Sequence, residues 1–372
     1  MLIKPERFFK NIKRAALFIK NKGLRYAYNK WWLDSFYATS SRPYLLIFQK
    51  IFSVFNHAPY PGLIEIEIST LCNLKCTICE HTYWDEPENN MSFKEFKSIV
   101  DQFPRLKWIA LTGIGQVFLN QDALEMYRYL KSKWPRIFIE LYDPFYLIDE
   151  KLARHIIEIG IDNVFISLDA ATKETYQKIR IGSDFDRVIN NVKTFMRLRK
   201  EMGRPLSEVR FNFVVTKDNI HEISGYIDLV RSLGGTSILF TKMSHLYREV
   251  EKLFVDIPPE LIKRIEKEAG RLNIEIKWCP NERLRSMPIK YCTAWIMPFI
   301  YVTGEVVPCC AVNEANARKF QKENSLGNVF KKSFKEIWLS QEYGKFRAML
   351  KENQVPELCS DCPVFSMGGL RI

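Results

Sequence analysis

The chain has 372 residues and a net charge of +12, and its length suggests two or three domains. With 47% hydrophobic residues and only 16 glycines and 17 prolines, it is neither collagen-like nor disordered throughout. No apolar run reaches the roughly 18 residues that span a bilayer, and Ala15 to Ile19 is closed off by Arg14 and Lys20, so no signal-peptide core is expected.

Residues 1–60 hold eleven basic residues against two acids, with fourteen aromatics among them. From Glu6 to Lys22 the residues Phe8, Ile12, Ala15, Ala16 and Ile19 recur at helical spacing, with Lys10, Lys13, Lys20 and Lys22 mostly off that face. A second apolar segment runs from Tyr44 to Phe55. Three readings stay open: a helical appendage with a solvated basic face, a segment lying on an anionic membrane, and an RNA-binding arm. The surplus of basic residues predicts weak, salt-sensitive association with anionic membranes, so the protein is expected in the cytoplasm, peripheral to the membrane; a nucleic-acid partner is the less favoured alternative.

Pro59-Tyr60-Pro61-Gly62 marks a boundary. After it, the pattern predicts a strand at Leu63–Ser69, then a capping box Ser92-Phe93-Lys94-Glu95 opening a helix. Strands follow at Trp108–Leu111, Ile137–Leu141, Asn163–Leu168, Val209–Val215 and Ser237–Phe240. Helices fall at Asp122–Ser132, from Asp149 to Gly160, at Phe185–Lys200 and at Glu222–Leu233. Six strands joined by helical crossovers predict a parallel α/β sheet, open or curled into a barrel, with ligands at the carboxyl ends of its strands. From Pro258 the pattern changes: a charged helix, a strand at Ile274–Trp278 and an irregular tail. The expected division is 1–60, 61–257 and 258–372.

Nine cysteines are too sparse for a disulfide scaffold and too clustered to be scattered core thiols, which points to metal or redox sites. Cys72, Cys76 and Cys79 follow the first strand. Three thiolates at this spacing can bind one iron–sulfur cluster and leave its fourth iron open to a small ligand. A structural zinc site is the alternative, with His81 as a fourth ligand. Six further cysteines, Cys279, Cys292, Cys309, Cys310, Cys359 and Cys362, lie in the tail, where a zinc ribbon is the competing reading.

Cys72-x3-Cys76-x2-Cys79 after the first strand of a six-fold βα chain resembles the radical S-adenosylmethionine enzymes over residues 62–245. The resemblance implies a partial (β/α)6 barrel and a [4Fe-4S] cluster whose unique iron holds S-adenosylmethionine. Reductive cleavage then yields a 5′-deoxyadenosyl radical that abstracts hydrogen from a substrate. A low-potential donor of the ferredoxin or flavodoxin type is the implied electron source. Thr112-Gly113-Ile114-Gly115-Gln116 stands where the family has a glycine-rich stretch near the methionine amino group, with Gln116 and Val117 in place of an acid and a proline. Ser167-Leu168-Asp169-Ala170, followed by Tyr176 and Arg180, resembles the segment that contacts the ribose and methionine parts. On its own, Ser167-x-Asp169 reads equally as a helix N-cap pair. Ile78 stands where the family commonly has an aromatic.

Cys292-x11-Gly304-x4-Cys309, followed by Cys359-x2-Cys362, resembles a shortened SPASM extension. Its landmarks are Gly304-Glu305-Val306, Leu326-Gly327-Asn328-Val329 and Lys335-Glu336-Ile337-Trp338. The resemblance implies one auxiliary [4Fe-4S] cluster on Cys292, Cys309, Cys359 and Cys362, with Cys310 a spare or alternative ligand and Cys279 in a packing role. Gly113, Gly115, Ser167, Asp169 and Arg180 are the expected S-adenosylmethionine contacts. The expected function is a radical enzyme acting on a small-molecule, sugar or lipid-linked substrate. A maturase of a peptide or protein is the alternative, and a zinc-stabilised RNA- or membrane-binding protein is the competitor of another class. A dinucleotide oxidoreductase is disfavoured, because cysteines and not Gly-x-Gly-x-x-Gly follow the first strand.

Overall fold

The computed structural model describes residues 60–83, 86–203, 208–243, 248–279, 289, 292, 294–312, 318–360 and 362. The expected N-terminal appendage, Tyr60 apart, lies outside the described residues. So does its expected contact with a membrane.

The strands are β1 (Leu63–Ile66), β2 (Lys75–Cys76), β3 (Trp108–Leu111), β4 (Phe138–Asp143), β5 (Asn163–Ser167), β6 (Arg180–Ile181), β7 (Glu208–Val215), β8 (Ser237–Lys242), β9 (Glu275–Cys279), β10 (Phe299–Ile300) and β11 (Val306–Val307). Nine of them form one sheet in the order β11-β10-β1-β3-β4-β5-β7-β8-β9. Every pairing in it is parallel except β10 with β11. The helices α1 (Phe93–Val100), α2 (Ala123–Lys133), α3 (Glu150–Ile159), α4 (Lys173–Ile179), α5 (Phe185–Glu201), α6 (Ile223–Ser232) and α7 (Pro259–Arg271) carry the crossovers. This is the parallel α/β sheet that the alternation predicts, in the partial barrel that the family resemblance implies.

Local chemistry sets the ends of these helices. Ser92 accepts from the Glu95 amide while the Glu95 carboxylate receives the Ser92 amide, completing the capping box of α1. Asp149 caps α3, and Gly160 ends it at φ 78°, a left-handed conformation that costs glycine little.

One face of the sheet packs on the helices, through Ile64, Ile66, Ile109, Leu111, Ile139, Leu141, Phe211, Phe213, Ile238 and Phe240, all buried. Each such side chain contributes roughly 1.5–3 kcal/mol by leaving water. The inner face is mixed. Leu63, Trp108, Ala110 and Phe138 close one end with Met297. Next to them, Glu65, Ala110, Glu140 and Asn163 stand in register across β1, β3, β4 and β5.

Two features depart from the expected division. The helix and strand after Pro258 belong to the sheet: β9 pairs in parallel with β8, Ile238 opposite Ile276. The physical reason is burial, since α7 packs Ile265 and Ala269 into the main core as the earlier helices do. At the other edge β10 lies parallel to β1, Glu65 opposite Phe299. The C-terminal segment therefore continues the barrel sheet at both edges, and the boundary at 257/258 marks no break in it.

Within that segment the Gly304 turn is present, at φ 89°. A Cβ there would press on the Phe330 ring at 2.5 Å. The chain at Leu326–Val329 adds to the hairpin through Leu326 N to Val306 O, Val306 N to Gly327 O and Val329 N to Gly304 O. A second capping box, Ser333 with Glu336, opens helix Phe334–Trp338, whose Phe334, Ile337 and Trp338 are buried.

Candidate active site

The first strand delivers its cysteines into a tightly held loop. Asn120 Nδ2 donates to Ile68 O (2.7 Å) and Met91 O (2.8 Å), and the Gln116 amide donates to Leu71 O at 2.7 Å. A Cβ on Gly115 would lie 2.6 Å from the carbonyl oxygens of Ser69 and Leu71, and one on Gly113 would strike the Glu67 side chain. Both glycines are thus explained by the close approach of the loop after β3 to the chain leaving β1. Gln116 is 5% exposed, and its side-chain Nε2 and Oε1 have no hydrogen-bond partner. A buried amide with both ends unmet fits beside a polar ligand.

The loop is pinned on its far side by an element the sequence reading missed. β2 pairs antiparallel with β6, Cys76 opposite Arg180, and the Thr77 amide donates to Ile179 O at 2.8 Å. Arg180 in turn reaches Asp169 Oδ2 through Nε (2.7 Å) and Nη2 (2.5 Å). Asp169 Oδ1 accepts from the Val214 amide at 2.7 Å. Asp169 is therefore no helix cap. Thr172 caps α4, accepting from the Thr175 amide, and is itself held by Glu222. Ser167, at the end of β5, is half-buried. The structure thus brings Cys72, Cys76, Cys79, Asp169 and Arg180 together at the carboxyl ends of β1 and β5, with Gly113 and Gly115 beside the cysteine loop.

Burial pushes the thiols of Cys72, Cys76 and Cys79 above the ordinary cysteine value. The Arg180 guanidinium pulls Cys72 and Cys76 back down. Burial works against the charge on Arg180, and the Asp169 carboxylate and Cys76 hold that charge in place. Cys79 feels the charges of both other thiols. Three soft thiol donors within electrostatic reach of one another and of a fixed cation suit an iron–sulfur cluster. The zinc reading fares worse: His81, its fourth ligand, turns Nε2 to Thr70 O at 2.9 Å. Among the described residues no three His, Cys, Asp or Glu side chains gather tightly enough for a single metal ion.

In the C-terminal segment the thiols sort themselves. Burial raises Cys309 far above its ordinary value, and the nearby Cys310, Cys292, Cys359 and Cys362 raise it further. Cys359 likewise feels Cys292 and Cys362. Burial also raises Cys310, and the Glu65 carboxyl and Cys279 raise it further. Cys279, expected in a packing role, is exposed at the end of β9.

Other residues at the site were not anticipated. Glu67 and Arg318 form a buried ion pair, and Glu67 also receives the amides of Ile114 (3.3 Å) and Val302 (3.4 Å). The signal was present in Leu63-Ile64-Glu65-Ile66-Glu67-Ile68, where acids alternate with isoleucines. Such a strand has one apolar face and one acidic face.

Comparison with known proteins agrees with this geometry. Residues 66–230 match the Radical SAM superfamily, and residues 292–363 match the SPASM iron-sulfur cluster-binding domain. The chain thus carries a radical SAM domain followed by a SPASM domain, which together mark an iron–sulfur enzyme. Its cofactors are accordingly a [4Fe-4S] cluster with S-adenosylmethionine, and auxiliary iron–sulfur chemistry in the SPASM domain.

Among curated relatives, the chain is 27% identical over 317 residues to the "Tungsten-containing aldehyde ferredoxin oxidoreductase cofactor-modifying protein" of Pyrococcus furiosus, covering 80% of this chain and 86% of that one. It is 32% identical over 178 residues to a "Probable GTP 3',8-cyclase" of Saccharolobus islandicus, covering 47% of this chain and 54% of the cyclase. Among solved structures, Streptococcus suis SuiB bound to S-adenosylmethionine aligns with a TM-score of 0.63 at 18% identity, over 81% of this chain and 71% of SuiB. Native anSMEcpe with bound AdoMet aligns with a TM-score of 0.56 at 18% identity, over 80% of this chain and 85% of that one. These structural likenesses bear on the fold.

Among the described residues no helix is long and apolar enough to cross a membrane.

Proposed function

We propose that this chain is a radical SAM maturase whose substrate is a peptide, a protein or a group held by a protein. The observation that carries the reading is the match to the cofactor-modifying protein, which covers 80% of this chain and 86% of that relative's length. A free small molecule was the leading expectation from sequence. It draws only on the cyclase match, which spans 54% of the cyclase.

Cys72, Cys76 and Cys79 are the proposed ligands of the first cluster, and Cys292, Cys309, Cys359 and Cys362 those of one auxiliary [4Fe-4S] cluster. When bound, the first cluster and S-adenosylmethionine supply a hydrogen-abstracting radical. The chain's own part is placement. Arg180 sets positive charge against the thiolates, Asp169 fixes Arg180, and Ser167 with the backbone at Gly113 and Gly115 are the proposed S-adenosylmethionine contacts. An electron donor of the ferredoxin or flavodoxin type is the proposed protein partner.

The test is anaerobic turnover with S-adenosylmethionine and dithionite, in the presence of the host's extract split by size. The macromolecular fraction should raise 5′-deoxyadenosine formation, and protease treatment should remove the effect. Stimulation by the small-molecule filtrate alone would return the substrate to the free metabolites.

A further inference from the structure

The inner face of the sheet carries hydrogen-bond donors that the fold does not use. On β4 and β5 the rings of Tyr142 and Phe165, opposite each other in register, stack with 4.2 Å between centroids and 5° between planes. Tyr142 is fixed by its hydroxyl, which donates to Glu140 Oε2 at 2.9 Å. The Arg210 guanidinium on β7, in register with Phe165, lies 5.6 Å from the Phe165 ring, within the range of a cation–π contact. Asn212 follows on the same face of β7, opposite Ser167. Ser237 immediately precedes Ile238, whose partner is Phe211, so Ser237 stands on β8 beside Arg210 and on the same face.

Three features point this strip towards a ligand. Arg210 Nη2 donates to Glu208 Oε2 at 3.1 Å, and among the described residues Nε and Nη1 have no hydrogen-bond partner, although the side chain is only 14% exposed. Glu208 thus holds the guanidinium without using it up. Asn212 spends its carbonyl oxygen on the Thr241 hydroxyl at 2.9 Å, which leaves the Nδ2 amide as a donor. Ser237 is 7% exposed, and its Oγ has no partner. A buried hydroxyl left unmet is costly unless something else meets it. What remains on all three side chains can donate.

We propose that Arg210, Asn212 and Ser237 hold an anionic group of the substrate, a carboxylate or a phosphate, beside the Tyr142–Phe165 stack. A planar guanidinium with unspent donors matches such an oxygen-rich anion, and the amide and the hydroxyl add donors on either side of it. The position suits the chemistry. Ser167, a proposed S-adenosylmethionine contact, is two residues beyond Phe165 on the same face of β5, about 6.6 Å along the strand. An anion on Arg210 therefore lies one layer beneath the radical source, and the adjoining part of the substrate is what meets the radical. This deepens the maturase reading and rests on it for the carrier of the anion: an acidic side chain, a chain end or the phosphate of a group held by a protein.

The test uses the reconstituted holoenzyme without substrate. Carbon-13-labelled acetate and inorganic phosphate are titrated separately, and the broadening of their magnetic resonance signals on binding gives a dissociation constant for each. At least one should bind saturably at a single site per chain, acetate the tighter for a carboxylate site and phosphate the tighter for a phosphate site. Compared at equal iron content, Arg210→Gln should weaken that binding at least tenfold, and Asn212→Ala and Ser237→Ala severalfold each. Arg210→Lys keeps the charge without the fork and should fall between native and Arg210→Gln. Glu208→Gln frees the guanidinium from its acid and should tighten binding severalfold, a gain that misfolding cannot produce. Unchanged binding in Arg210→Gln, no tightening in Glu208→Gln, or no saturable binding of either anion would overturn the proposal. Anion binding as expected, together with turnover stimulated only by the small-molecule filtrate, would uphold the site and overturn the maturase reading alone.

Discussion

Glu67 and Arg318, 251 residues apart, meet in a two-pronged ion pair with Nη1 to Oε2 at 3.1 Å and Nη2 to Oε1 at 2.9 Å. Both side chains are almost fully buried, and the guanidinium lies 3.8 Å from the centre of the Tyr301 ring. Removing one partner leaves the other as an uncompensated buried charge, at a cost of roughly 3–5 kcal/mol. Glu67→Ala and Arg318→Ala should each lower the urea midpoint strongly. Glu67→Leu combined with Arg318→Met should recover much of the loss. A double variant as unstable as the singles would mean that the pair is not what joins the two regions.

The Asp169–Arg180 pair is expected to govern the cysteine loop, because the Arg180 backbone is paired with Cys76. Asp169→Ala should free the guanidinium, destabilise the protein and reduce iron in the first site while sparing the auxiliary one. Arg180→Lys keeps the charge but not the planar fork, so it should fall between native and Arg180→Ala. Iron content per chain, followed with the absorbance of each variant, reads this directly.

Replacing Cys72, Cys76 and Cys79 together with Ala should abolish S-adenosylmethionine cleavage and leave about four irons per chain, the content of one [4Fe-4S] cluster. Cleavage that persists would remove these three thiols from the radical chemistry.

Asp143 gives a pH signature. At the end of β4 its Oδ1 accepts the Phe145 amide at 2.6 Å, while Oδ2 is buried without a hydrogen-bond partner. Burial raises its pKa to about 7, against the lowering effects of that amide and of Arg180. Between the ordinary value of 3.8 and about 7, the folded chain keeps a proton that the unfolded chain releases. Its stabilising contribution is therefore complete below the lower value and lost as pH rises through the upper one, with a span on the order of a few kcal/mol. Asp143→Asn removes this dependence. The melting temperature of Asp143→Asn relative to native should rise from about pH 5 to about pH 8, whereas a constant difference would rule out the titration of Asp143.

What could be read from the sequence was what local rules determine. The six central strands, the Ser92 capping box and the Gly304 turn each follow from a few adjacent residues. The grouping of Cys72, Cys76 and Cys79 is likewise local, whereas the grouping proposed for the C-terminal thiols rests on the family resemblance. The membership of β9 in the sheet was misplaced for a physical reason: the charged surface of α7 obscured the buried stripe of Ile265 and Ala269. β10 is two residues long, too short for any periodicity, and only its partner β1 defines it. The roles of Asp169 and Arg318 depend on partners that are distant in sequence, and no local pattern encodes such a pairing.

The continuity of the sheet bears on how this architecture could be divided. A chain cut at residue 257 would lose β9 from one side and β10 with β11 from the other. It would leave β8 and β1 as two bare parallel edges, each with a row of unmet amides and carbonyls ready to pair with another molecule. Glu67 would at the same time lose Arg318. The radical-generating half, expressed alone, should therefore collect in aggregates. In this protein the auxiliary region is part of the wall that keeps the first site folded, and loss of the C-terminal third would be felt first in the solubility of the N-terminal two-thirds.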